Sequence, residues 1–332
     1  MLKQSRAVYK NLINSVAATL IVSAALLSVL TNVSSALRGI CTESFGSGNV
    51  WIDAVFGIVE CVVYFLSFTL PIYVFRNLRE RGEREEFVPS FAPIERFSRL
   101  ECASAICFSL GTILLASYLN RFLVDSFSDY SRFSQEAFWA VELGKPYQII
   151  IYLFSSAVVP ALCEELLFRG VICRSLMNYG SRTAILVSAV LFALMHTNLG
   201  QLLYAFAAGL LLGWLYVRSG SLKLAVLLHF INNATVCAKV FARARLSSDA
   251  ADAVCYAVEG IIFVACVLSA IYLLIRHNKR KKSEQHTECD EDDGPLPLEA
   301  KEKTVGFFTP VMVMYIAYCV LTMVYYIFIG YK

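Results

Sequence analysis

Apolar residues run along this chain in long windows, not in the short alternating or turn-bounded stretches of strands. The windows cover about 12–37, 53–75, 101–119, 147–168, 183–197, 200–217, 221–240, 254–275 and 307–329, and the helical pattern of the fourth runs on to Met177. A membrane helix needs about 20 mainly apolar residues, with a working range of about 17–25. Helices also satisfy their own backbone groups in lipid. The pattern therefore predicts an all-α polytopic integral membrane protein with about eight to nine transmembrane helices. The first window is read as the first helix and not as a cleaved signal, because it is long and many others follow.

Composition supports this reading. Hydrophobic residues make up 58% of the 332 residues and charged residues 17%. That excludes a disordered chain and argues against a soluble domain. A net charge of +3 carries no nucleic-acid signal, so no nucleic acid is expected as a partner. The membrane bilayer is the expected partner, and the bacterial cell membrane the expected location. The eleven cysteines include no CxxC pair, and most lie in or beside apolar runs, which reads as small buried hydrophobes.

Three basic clusters suggest a topology. Lys3, Arg6 and Lys10 precede the first window, Arg76, Arg79, Arg81 and Arg84 follow the second, and Arg276, Lys279, Arg280, Lys281 and Lys282 follow the eighth. Nine spans would place all three clusters on one side, which the positive-inside rule makes cytoplasmic. Arg243, Arg245 and the C-terminus then fall outside. The segments 76–99 and 276–303 read as solvated charged loops, and 120–147 as an interfacial loop or short helix. The expected division is an N-terminal helical part over 1–120, a core over 147–240 and C-terminal helices over 254–332. Gly209 and Gly213 form a GxxxG spacing suited to close helix packing.

Ionisable residues inside such helices are costly and face a bundle interior or a wet cavity. The fourth window ends in Glu164, Glu165 and Arg169. The fifth carries His196, and the seventh carries His229 with Asn232 and Asn233. Glu60 and Glu259 stand apart from this set. Glu165 and Arg169 are four apart and can pair on one face, as can His229 and Asn233. Glu164 and Asn232 are rotated away from those faces. Phe192, four before His196, can wall a pocket, and Asn198 is a weaker candidate.

These groups suit amide hydrolysis. A carboxylate in a partly desolvated cleft is a better base near neutral pH and can take a proton from an attacking water. A histidine can orient that water, donate to the leaving amine or bind a metal. A second histidine with an asparagine can steady an oxyanion. Ser155, Ser156 and Ser188 lie in no nucleophile motif, Cys163 beside two glutamates is a poor thiolate, and HExxH is absent.

Three motifs in order, EELLFR at 164–169, FALMH at 192–196 and HFINN at 229–233, resemble those of CPBP-family intramembrane proteases. That group comprises the type II CAAX prenyl endopeptidases and the bacteriocin-processing Abi proteins. The resemblance covers about 147–240. It implies an intramembrane endopeptidase, with Glu164 as the catalytic glutamate and Glu165 and Arg169 completing its motif. It implies that His196 acts with that glutamate at the water, and that His229 and Asn233 are oxyanion stabilisers. The implied substrate is a peptide or a lipidated protein, entering a cavity generally open to the cytosol.

Family names often say metalloprotease. A zinc ion held by Glu164, His196 and His229, with Glu165 as base, is the alternative to a metal-independent, glutamate-activated water. Two other functions remain open at this point. One is a non-proteolytic bacteriocin-immunity or scaffold protein. The other is a transporter, although no internal repeat is evident.

Overall fold

A computed structural model describes residues 2–46, 49–78, 97–126, 146–283 and 298–329. Among these residues the chain is helical, without strands. The helices are α1 (Leu2–Phe45), α2 (Val50–Leu78), α3 (Arg99–Asp125) and α4 (Tyr147–Tyr179). They continue as α5 (Ser181–Met195), α6 (Leu199–Ser219), α7 (Leu222–Arg245) and α8 (Ser248–Ser283). A short α9 (Ala300–Phe307) precedes α10 (Pro310–Ile329). Eight of these are long and apolar enough to cross a membrane, and α5 is a shorter apolar helix.

Local chemistry sets several boundaries. Ser98 and Glu101 form a reciprocal capping box at the start of α3. Asn198 and Ser221 cap α6 and α7 by accepting from Gly200 N–H and Lys223 N–H. Gly220 ends α6 at φ +68°, where a side chain would be strained.

The helices outrun their windows. Residues 38–45 continue α1, where Arg38 pairs with Asp53 at 3.0 Å. The segment 276–303 is only partly a loop. Its first residues extend α8 to Ser283, and its last begin α9. Arg6 binds Glu302, and Lys303 Nζ donates to the Tyr179 carbonyl at 2.6 Å, so α9 is tied to α1 and α4. Glu302 thereby sits below the usual carboxylate range. The rest of that segment, with His286, lies outside the described residues, as do most of 76–99 and of 120–147.

Cysteines behave as small hydrophobes. All ten in the described residues are unpaired and buried or half-buried. Glu60 and Glu259, expected to stand apart, both have partners. Glu60 lies 3.6 Å from Arg38, while Glu259 takes hydrogen bonds from Lys239 and Tyr118.

The GxxxG spacing does pack closely. A Cβ on Gly209 would come within 2.9 Å of Ala189 Cα, and one on Gly213 within 3.3 Å of Ile185. Thus α6 lies backbone to backbone against α5.

Candidate active site

The structure brings all six candidates together, but on two levels. A cavity of about 1400 Å³ is lined by Glu164, Phe192, His196, His229 and Asn233, among others. Glu165 and Arg169 do not line it and lie beneath, fully buried.

The lower level is a charge network. Arg169 Nη1 donates to Glu165 Oε1 at 2.8 Å, and Arg169 Nη2 to the Gly209 carbonyl at 3.1 Å. Its guanidinium also sits over the Phe192 ring, 4.5 Å from the centroid. His229 Nδ1 meets the same Glu165 oxygen at 2.8 Å. That oxygen only accepts, so Nδ1 carries the hydrogen and Nε2 is turned to the cavity side. A buried charge is tolerated only when paired and hydrogen-bonded, and one carboxylate here serves a guanidinium and an imidazole.

The upper level holds Glu164. Tyr64 of α2 donates its hydroxyl to Oε1. Oε2 is buried with no hydrogen-bond partner in the protein, 3.9 Å from His229 Nε2. The neighbouring glutamates thus have different surroundings. Each keeps its Oε2 without a hydrogen-bond partner in the protein, but Glu165 is fully buried with Oε1 shared by Arg169 and His229, whereas Glu164 lines the cavity.

His196 caps the end of α5. Its Nδ1 lies 2.8 Å from the Phe192 carbonyl, an acceptor, so Nδ1 donates and Nε2 has a free lone pair. Its ring packs on Phe192, with centroids 4.8 Å apart. Thr197 follows at φ +46°, an uncommon conformation for a β-branched residue and a point of backbone strain beside the site.

Asn233 is anchored through α4. Pro160 has no N–H, so the carbonyl of Ser156, four residues earlier, lacks its α-helical donor. The chain widens into a π-helical turn over Phe154–Val158, and Asn233 Nδ2 donates to Ser156 O at 3.2 Å. A second π-helical stretch, Leu166–Cys173, carries Arg169. Such turns occur often at functional sites. Asn232, expected to face elsewhere, donates to Asn233 Oδ1 at 3.1 Å and also lines the cavity. Asn198 serves as the α6 cap.

Tyr64 and the Ser156 carbonyl were not among the candidates. Pro160 four residues after Ser156 is a sequence signal for the latter. Tyr64 has none, because its contact spans 100 residues.

The zinc alternative does not fit this geometry. Among the described residues no three His, Cys, Asp or Glu groups are clustered to hold a metal ion. Glu165, the base in that alternative, is fully buried and does not line the cavity.

Residues 146–235 match the family model described as Type II CAAX prenyl endopeptidase Rce1-like. No curated protein and no solved structure matches the chain.

Proposed function

With its central segment, residues 146–235, in the Rce1-like family of type II CAAX prenyl endopeptidases, we propose that this membrane protein hydrolyses peptide bonds inside its cavity by a glutamate-activated water. The observation that carries the reading is Glu164 on the cavity wall, with Oε1 fixed by Tyr64 and Oε2 3.9 Å from His229 Nε2, while Glu165 lies buried beneath it.

Glu164 takes a proton from a water as that water attacks the scissile carbonyl carbon. The free Nε2 of His196 accepts a hydrogen bond from that water, which aims a lone pair of the water oxygen at the scissile carbonyl carbon. The His229 ring, held at Nδ1 by Glu165, and the amide of Asn233 face the developing oxyanion. Glu164 then returns the proton to the leaving amine. Water is consumed, and one new carboxyl and one new amine are formed. Arg169 and Glu165 act only through His229, as positioning residues.

The substrate is a membrane-associated peptide segment, prenylated or not. Cleavage of such a peptide in liposomes by the wild type, by Glu164→Gln and by His196→Ala tests the assignment. General acid–base groups contribute about 10²–10⁴-fold, so losses of that order are expected. Full activity in both variants would defeat it.

A further inference from the structure

The cavity reaches only one end of the bundle. Its lining takes the C-terminal half of α1, the N-terminal halves of α2 and α4, and the C-terminal parts of α7 and α10. None of its lining residues comes from the opposite helix ends. Helix α5 explains the shape. It begins at Ser181 at that opposite end and has 15 residues, about 22 Å at 1.5 Å per residue, short of the roughly 30 Å hydrocarbon core. Its last turn, with His196, therefore stops inside the membrane, and the cavity is the space beyond it. At the mouth stand Arg38, Glu43, Asp53 and Gln148. Glu43 is exposed, and Gln148 Nε2 donates to Asp53 at 3.5 Å.

Charge gives the ends a direction. The closed end carries Arg6, Lys10, Arg76, Arg182, Lys223 and Arg276 at the ends of their helices. Among the described residues it holds more than twice as many lysines and arginines as the mouth end, where Arg38, Arg121, Lys239, Arg243 and Arg245 stand. Orientation follows the lysine and arginine bias close to span ends in short loops, and acidic residues counteract it little. The basic end is therefore the cytoplasmic one.

We propose that the active-site cavity opens on the side of the membrane away from the cytoplasm, and that its substrates are peptide segments presented from that side. This reverses the cytosolic opening implied by the sequence resemblance. It rests on the peptide-hydrolase reading for the word substrate, but not for the sidedness. A lipidated tail confined to the cytoplasmic leaflet would have no route to Glu164. A membrane-anchored peptide whose cleavable segment lies outside would reach it past Arg38 and Asp53.

The test is labelling of the full-length protein with a membrane-impermeant maleimide, read peptide by peptide by mass spectrometry. Glu43→Cys marks the mouth and Arg182→Cys the closed end. In intact bacterial cells Glu43→Cys should be labelled and Arg182→Cys protected, with the pattern reversed in inside-out vesicles. Labelling of Arg182→Cys in intact cells with Glu43→Cys protected overturns the proposal. The unsubstituted chain gives a second readout, because α10 ends at the mouth side. Alkaline phosphatase fused after Lys332 should be active, and a fluorescent cytosolic protein fused there should stay dark. The opposite result overturns the proposal. Neither measurement needs a cut peptide. Failure to cleave would count against the enzymatic reading alone, and reversed labelling against the sidedness alone.

Discussion

Helices α4 and α8 are both long membrane spans, yet they are built for different surroundings. Very little of the α8 window is buried within the protein, and Val264, Leu268 and Leu274 stand on its surface. It is also the most apolar of the spans. Helix α4 is less apolar and more buried, and it holds Glu164, Glu165 and Arg169. In lipid the hydrophobic effect does not separate inside from outside, because tails are as apolar as leucine. Extreme apolarity therefore marks the lipid face, and a lapse in it marks the interior that does chemistry.

The sharpest way to break this contrast is at Arg169. Removing one partner of a buried ion pair costs about 3–5 kcal/mol, because the other charge is left stranded. Arg169→Met should leave little folded protein, measured as monodisperse yield in detergent. Normal yield and melting temperature would mean that the network is not structural. Tyr64→Phe comes next. A hydrogen bond to a charged group is worth about 1.5–3 kcal/mol, so turnover should fall roughly ten- to hundred-fold and the melting temperature should drop as well. Unaltered turnover would remove Tyr64 as a positioning residue.

On α8 the expectation is near silence. Leu268→Ala, on an exposed position, should change stability by no more than about 0.5 kcal/mol. A large loss would show that α8 is buried against another protein. The smallest effect belongs to α9. Because Arg6 holds Glu302 below the usual carboxylate range, that contact is complete above the ordinary carboxylate pKa. It is lost as pH falls through the lowered value. Thermal melting of wild type and Glu302→Gln should differ slightly at neutral pH and converge in acid. A difference that grows in acid would contradict the sign.

The spans and most of the site were legible in the sequence because both depend on local rules. Long apolar windows give helices, and the polar residues that interrupt them are few. The i,i+4 relation of Glu165 and Arg169 is local as well, and so is the GxxxG face that meets Ala189. What stayed hidden depends on distant contacts. Tyr64 and Glu164 meet across helices, and so do Lys239 and Glu259. Helix ends were also underestimated, since ion pairs such as Arg38–Asp53 carry helices past their apolar windows. The separation of Glu164 from Glu165 was only half visible. Their 100° offset on the helix said that they face differently, but not which one faces the cavity.

That separation is the centre of the account, and one measurement tests it. Cleavage rate and melting temperature are determined on the same preparations of Glu164→Gln and Glu165→Gln. The predicted result is a Glu164→Gln protein that melts like wild type and cuts about 10²–10⁴-fold more slowly, beside a Glu165→Gln protein that loses stability. An active Glu164→Gln protein would contradict it.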